Sequence, residues 1–104
     1  MADDIDLEEK ILENLSKVVD PELGFDVVTL QLIREIHINS DNDAIVIMTL
    51  TSPACPFGDF IKMEVEFAVR AVKGVNRVKV DITFDPPWTL ENISEEAKLA
   101  LGLL

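Results

Sequence analysis

The spacing of apolar residues along the chain predicts three helices. A helical repeat, which begins at an Asp-x-x-Glu pattern (Asp6 and Glu9) typical of a helix start, predicts a first helix over residues 7–19. A second repeat predicts a helix over residues 57–73, and a third, shorter helix is predicted near residues 95–101. The apolar face of the second helix is predicted to hold Phe57, Ile61, Val65, Ala68 and Val72.

Three further segments have the alternating or continuous apolar pattern of β-strands. Residues 30–39 and 44–50 are joined by a short polar turn and predict a hairpin, and residues 75–84 alternate cleanly. The continuous apolar run of the second segment predicts a central strand that is covered on both faces in its first half. Because a helix separates the second and third strands, these two are predicted to be parallel. The order predicts an α/β (α+β) fold, with helices packed on a small three-stranded mixed sheet.

The composition narrows the classes of function. With 104 residues, the chain is expected to form a single domain over residues 1–104. Its net charge of −11 disfavours nucleic acid and anionic membrane surfaces as partners. The acidic start and the lack of an apolar run of about 20 residues predict neither a secretion signal nor a membrane span. The single cysteine cannot form an intramolecular disulfide, which favours a reducing, cytoplasmic location.

Three segments rich in proline and acidic residues are predicted to meet at one edge of the sheet. The second strand ends at the segment that holds the cysteine, and the parallel third strand ends at Asp-Pro-Pro-Trp. The first strand follows an Asp-Pro-Glu segment. Ligands of α/β sheets usually bind at the carboxyl ends of parallel strands. The candidate site residues are Asp20, Pro21, Glu22, Thr51, Ser52, Pro53, Cys55, Pro56, Asp85, Pro86, Pro87 and Trp88.

Cys55 is the candidate for chemistry at this edge. If Pro56 is the first residue of the long helix, Cys55 is its N-cap, where the helix dipole would lower the pKa of the thiol. The alternative is that Cys55 is a small buried apolar residue. A Cys–His pair is not expected, because His37 lies beside the hairpin turn, roughly 20 Å away along the second strand. There is also no Walker A, G-x-S-x-G or C-x-x-C motif, so no enzyme class is indicated.

The number of available ligands argues against a metal cluster held by one chain. Zinc and iron–sulfur sites usually need four protein ligands, most of them thiolates or imidazoles. Near Cys55 the chain offers only the carboxylates of Asp20, Glu22 and Asp85. Any metal at Cys55 is therefore expected to be transient or shared between chains. The alternative for the acidic segments is structural, with Asp20 and Glu22 in a turn and Asp-Pro-Pro stiffening a turn that lays Trp88 over the core.

Three motifs together resemble a known family. The segments "VVDPELGFDVVTLQLI", "MTLTSPACP" and "VDITFDPPWT" are similar to the small iron–sulfur cluster assembly domain of SufT and PaaD proteins. A related domain forms the small subunit of the eukaryotic cytosolic iron–sulfur targeting complex. The similarity spans residues 11–101. It implies an α/β fold, a role in maturing iron–sulfur proteins, and Cys55 as the reactive or cluster-handling thiol within a pocket formed by the three segments.

The expected function is a non-enzymatic iron–sulfur cluster assembly, carrier or targeting factor. Its partners would be the assembly machinery or client proteins, and its cofactor a transient iron–sulfur cluster. A homodimer is expected if the small sheet leaves an apolar face uncovered. Two alternatives stay open: a small thiol enzyme or redox sensor that uses Cys55, and a protein–protein adaptor in which the cysteine is structural.

Overall fold

The computed structural model describes residues 3–51, 57–89, 91, 93, 95–100 and 102. Within them the elements follow the predicted order of helix, strand, strand, helix, strand and helix. The helices are α1 (Asp3–Leu15), α2 (Gly58–Arg70) and α3 (Glu95–Ala100), and the strands are β1 (Ile33–Ile38), β2 (Ala44–Met48) and β3 (Val78–Ile82).

The three strands form one mixed sheet in the order β1-β2-β3. β1 is antiparallel to β2, and β2 is parallel to β3. Met48, at the end of β2, pairs with Ile33 on one side and Ile82 on the other. The predicted hairpin, the crossover through α2 and the α/β fold are therefore confirmed.

One face of the sheet carries the hydrophobic core. Every second residue of β2 is buried, and the buried residues of α1 and α2 belong to the same apolar cluster. Each methylene group removed from water in such a cluster stabilises the fold by about 0.8 kcal/mol. The fully buried members of the cluster include Ile11, Leu15, Val27, Leu30, Leu32, Val46, Met48, Ile61, Val65 and Val69.

The other face of the sheet is open to solvent, and the prediction that β2 is covered on both faces is wrong. Ile45 and Ile47 are only half-buried. Their partners on β1 and β3 are exposed polar residues: Glu35, His37, Lys79 and Asp81. Since this face is a mixture of apolar and charged groups, it gives no support to a homodimer formed by an uncovered apolar sheet.

The first helix starts and ends earlier than its apolar repeat predicts. α1 spans Asp3–Leu15 instead of residues 7–19, and Asp6 lies inside it, so the predicted capping position is wrong. After α1 the chain pairs with the segment that leads to β1: Val19 forms an antiparallel bridge with Asp26. This local pairing, which closes the turn around Asp20, replaces the last predicted helical turn.

The second helix also differs from its prediction, chiefly at its start. α2 begins at Gly58, and Phe57, predicted to lie on the buried face, is 41% exposed. The side chains that α2 buries are Ile61, Val65 and Val69. The third helix agrees with its predicted bounds to within one residue. Among the described residues, no helix is long and apolar enough to cross a bilayer.

Candidate functional site at the carboxyl edge of the sheet

The ends of the strands meet at one edge, as the element order predicts. Beyond the last strand pairs, the Thr49 N–H donates to the Leu32 carbonyl at 2.8 Å. On the other side of β2, the Thr83 N–H donates to the Met48 carbonyl, also at 2.8 Å. The segment that leaves β2, the segment that leaves β3 and the segment that enters β1 are therefore held side by side.

Trp88 ties the two flanks of this edge together. Its indole Nε1–H donates to the Leu30 carbonyl at 2.6 Å, a contact between residues 58 positions apart. The ring is half-buried and packs against the core, which agrees with the structural alternative for this segment. Since Leu30 precedes β1 and Trp88 follows β3, residues 83–88 must pass the end of the central strand. Asp85, Pro86 and Pro87 are exposed along this path, and the Asp85–Pro86 peptide bond is cis.

Asp20 is fully buried within a tight turn. Its N–H donates to the Phe25 carbonyl at 2.9 Å, and its own carbonyl accepts the Gly24 N–H at 2.8 Å. Gly24 has a φ of 77°, a left-handed conformation that favours glycine. One carboxylate oxygen, Oδ1, accepts the Glu22 N–H at 2.8 Å, while Pro21 and Glu22 themselves are exposed. Asp20 is thus a turn residue, as the structural alternative holds, but one whose carboxyl group lies inside the protein.

Two oxygen atoms at the predicted site are buried without a hydrogen-bond partner among the described residues. They are Oδ2 of Asp20 and Oγ1 of Thr51. Burying a polar group without a partner costs about 1–3 kcal/mol, and more for a charged group. Such groups usually find a partner in a neighbouring segment, a water molecule or a bound molecule.

The segment that carries the thiol is anchored at both ends. Gly58 is buried at the start of α2, and a Cβ atom added there would lie 2.9 Å from Cδ1 of the buried Leu50. This close approach holds the exit of β2 against the entry of α2. Ser52, Pro53, Cys55 and Pro56 lie between the two anchors but outside the described residues.

The prediction that Cys55 is the N-cap of the long helix is wrong. The N-cap is Phe57, two residues later, and it makes no side-chain capping bond. At the first residue of α2, a Cβ atom on Gly58 would lie 2.9 Å from Leu50 Cδ1, so a larger residue there would require the Leu50 side chain to shift. The helix-dipole argument required Cys55 to be the N-cap and therefore does not apply, and the thiol itself lies outside the described residues.

The structure also bears on the predictions for His37 and for metal binding. His37 is an exposed strand residue that pairs with Ile45, at the opposite end of β2 from Leu50, and its Nε2 lies 3.0 Å from Glu35 Oε1. This agrees with the prediction that it takes no part in the site. In the described part of the chain, no group of three His, Cys, Asp or Glu side chains could hold a metal ion.

Several residues that shape the edge escaped the sequence analysis. The Leu30 carbonyl and the Leu50–Gly58 contact have no signal in the sequence, because both depend on tertiary packing. Asp26 has one: its carboxylate accepts the Thr29 N–H at 2.9 Å and the Thr29 hydroxyl at 2.6 Å. The Asp-x-x-Thr spacing of this turn resembles a helix cap and could have identified it.

With the geometry established, comparison with known proteins identifies the family. The sequence profile described as "Iron-sulfur cluster assembly protein" matches residues 8–82. The chain belongs to this family. The family resemblance found in the three motifs is thereby confirmed.

Relatives of this family match the chain over nearly its whole length. A protein of Porphyromonas gingivalis named "Fe-S protein maturation auxiliary factor" is 46% identical over 97 residues, which cover 93% of this chain and 92% of that protein. The auxiliary factor SufT of Staphylococcus aureus is 38% identical over 86 residues, 83% of this chain and 98% of that protein. A crystal structure of a domain of unknown function, DUF59, from Bacillus anthracis superposes with a TM-score of 0.88 at 38% identity, covering 95% of this chain and 94% of that one.

Proposed function

We propose that this chain helps to mature iron–sulfur proteins as a cluster assembly or carrier factor without catalytic turnover of its own. The observation that carries the proposal is the match, across nearly the full length of both chains, to a protein named as an iron–sulfur protein maturation auxiliary factor. In this function the iron–sulfur cluster is cargo. The partners would be a donor of clusters and the client proteins that receive them, in a reducing compartment such as the cytoplasm.

Cys55 is the proposed ligand for the cargo. Its segment lies between Leu50 and Gly58, which pack together, so the described residues on either side of it are held at the sheet edge. The exchange needs no redox step. The Cys55 thiolate would displace one donor ligand from an iron atom, and a client thiolate would later displace Cys55, with one thiol proton released or taken up at each exchange.

The other ligands of the cluster would come from the donor or the client. The described carboxylates do not form a metal-binding group, and a cluster normally needs four protein ligands. The unpartnered oxygens Asp20 Oδ2 and Thr51 Oγ1 would accept hydrogen bonds from an incoming cysteine segment or position the Cys55 loop. The exposed Asp85 and Pro86 would form the rim against which a partner docks.

A transfer assay tests the proposal. Under anaerobic conditions, a [4Fe–4S]-loaded donor scaffold would be mixed with apo-aconitase and the protein in an amount equal to the donor, and recovery of aconitase activity would be followed. We expect the wild type to accelerate recovery and Cys55→Ser to abolish the acceleration. His37→Gln, at the far end of the sheet, is the matched control and should behave as the wild type. Equal acceleration by Cys55→Ser and the wild type would remove the thiol from the mechanism.

A further inference from the structure

The side of α2 that points away from the core carries an apolar stripe. Phe60, Met63 and Phe67 are 47%, 45% and 56% exposed. They are spaced by three and four residues, so they fall on one line along the helix, opposite the buried Ile61 and Val65. This set, Phe60, Met63 and Phe67, is called the α2 stripe below. An amphipathic helix normally places polar residues there, so three large apolar side chains at the outermost positions need a reason.

The α2 stripe borders a groove between α2 and the segment that follows α1. The groove has a volume of about 570 Å³, and Phe60 and Phe67 form one of its walls. The opposite wall includes Val19, which is 49% exposed, and Pro21 from the Asp20 turn. The apolar surface therefore continues from the helix towards the turn that carries Asp20.

The spacing of the α2 stripe is suited to another helix. Apolar residues at successive intervals of three and four form the seam on which a second helix packs in a coiled coil. A partner helix with the same spacing would place its own apolar side chains between Phe60, Met63 and Phe67 and into the groove beside them. Helix-in-groove recognition of this kind uses a few apolar anchors along one face.

The charged residues beside the α2 stripe indicate which kind of partner helix would fit. Asp59 and Glu66 lie along one side of it and Glu64 along the other, in the positions that contact the flanks of a packed helix. Two basic residues are near: Arg70 comes one turn beyond Phe67, and Lys17 lies across the groove. Along the length of the stripe itself, the flanking charges are acidic.

These charges argue against a second copy of the chain as the occupant. In an antiparallel pair of α2 helices about a two-fold axis, Glu64 would face its own copy and Asp59 would approach Glu66 of the other chain. In a parallel pair, Asp59 would approach Glu64. Both arrangements place like charges together, and each chain also carries a net charge of −11. An anionic membrane surface is disfavoured for the same reason.

We propose that the α2 stripe is the docking site for an amphipathic helix of a partner protein whose apolar face is flanked by lysine or arginine. The basic flanks would pair with Asp59, Glu64 and Glu66, and the apolar anchors would cover Phe60, Met63 and Phe67. The docking itself involves no thiol chemistry, so it would hold even if the chain carried no cluster.

Two synthetic helical peptides with the same leucine seam test the proposal, one with lysines and one with glutamates at all flanking positions. Binding would be measured by calorimetry, and the surface mapped by ¹⁵N–¹H NMR. We expect the lysine peptide to bind at least about tenfold more tightly than the glutamate peptide. We expect shift changes centred on residues 57–70 and 14–21. Cys55→Ser should bind the lysine peptide as the wild type does, which separates this site from the cargo site.

Variants of the stripe and of its flanks have matched controls on α3. Phe60→Ser with Phe67→Ser should weaken binding of the lysine peptide by at least about tenfold, whereas Leu99→Ser, at another exposed apolar residue, should not. Glu64→Lys with Glu66→Lys should reverse the preference in favour of the glutamate peptide, and Glu96→Lys should leave it unchanged. Circular dichroism would verify that each variant is folded.

Four results would overturn the proposal. The first is equal affinity for the two peptides, and the second is no binding of either. The third is a dimer in sedimentation equilibrium that Phe67→Ser dissociates, which would assign the stripe to a second copy. The fourth is adsorption to phosphatidylglycerol vesicles that depends on Phe60 and Phe67, which would assign it to a lipid surface.

Discussion

The two ends of the sheet differ in how their polar groups are hydrogen-bonded. At the hairpin end, the polar groups of the turn are exposed and partnered by near neighbours: Asn39 Oδ1 accepts the N–H groups of Asp41 and Asp43 at 2.9 and 3.0 Å. Asp43 Oδ1 in turn accepts the Arg77 N–H at 3.1 Å, which links the turn to the start of β3. The polar groups named here are therefore satisfied within the turn and by the start of β3.

The carboxyl end differs in burial, range of contact and satisfaction of its polar groups. Asp20 is fully buried there with one unpartnered carboxylate oxygen among the described residues, and Thr51 has an unpartnered buried hydroxyl oxygen. The contact that spans this end, between Trp88 and Leu30, joins segments far apart in the chain. The two ends therefore differ in how their polar groups are satisfied: the hairpin end is satisfied by near neighbours, whereas Asp20 and Thr51 at the carboxyl end each have a buried oxygen without a partner among the described residues.

The largest effect on stability is expected where the thiol-bearing segment is anchored. Gly58→Ala would place a Cβ atom 2.9 Å from Leu50 Cδ1 and should lower the free energy of unfolding. The expected loss is about 1–3 kcal/mol, the usual cost of overpacking a core. Urea denaturation followed by circular dichroism would measure it.

A double-mutant cycle with Leu50→Ala tests the cause of that loss. Removal of the leucine side chain makes room for the added methyl group, so the double variant should lose less stability than the sum of the two single losses. Simple additivity would show that the Leu50–Gly58 approach does not limit this position, and that the loop anchor is elsewhere.

Asn39→Ala should have the next largest effect and mark the hairpin end as structural. The substitution removes an acceptor that serves two N–H groups, and the expected loss of unfolding free energy is about 1–2 kcal/mol, because exposed groups can turn to water. Aconitase activation in the transfer assay should stay unchanged at a temperature where the variant is folded. A loss of activation in the folded variant would contradict the division between the two ends.

The regular secondary structure and its topology can be predicted from the sequence. The element order, the mixed sheet and the meeting of the strand ends follow from periodicity and from the geometry of a crossover, both of which are local or general rules. The same is true of Trp88 over the core, since prolines before it stop the strand and an indole is rarely left in solvent.

The wrong predictions concern the ends of helices. The last turn of the first predicted helix gives way to the Val19–Asp26 bridge, which closes a local turn, and α2 starts only at Gly58, so that Phe57 precedes it and is exposed. In both cases the apolar repeat continues past the helix end, because such a repeat shows which face of a helix is buried and not where the helix ends. The position of Asp20 could be predicted, whereas its burial and its unpartnered oxygen could not, because they depend on how the turn is covered.

Trp88→Phe should have a smaller effect than either change above. The phenyl ring retains most of the apolar contact with the core, but the hydrogen bond to the Leu30 carbonyl is lost, at a cost of about 0.5–1.5 kcal/mol. Hydrogen exchange of the amides of residues 30–33 should accelerate, while that of residues 39–43 at the hairpin end should not. Equal acceleration at both ends would show a global loss of stability and no local role for Trp88 at the carboxyl end.

Asp20→Asn should change stability least and function most. Asparagine keeps an oxygen that can accept the Glu22 N–H, and it replaces the unpartnered Oδ2 with an amide NH2 group that has no partner in the described part of the chain either. Because one unsatisfied buried polar group takes the place of another, the free energy of unfolding should change by less than about 1 kcal/mol. If the carboxylate serves the cargo, the same variant should lose most of its acceleration of aconitase recovery. The matched control is Asp43→Asn at the hairpin end, which should keep that acceleration. A folded Asp20→Asn protein with wild-type transfer would instead make Asp20 a structural turn residue, and the two ends of the sheet would then differ in burial alone.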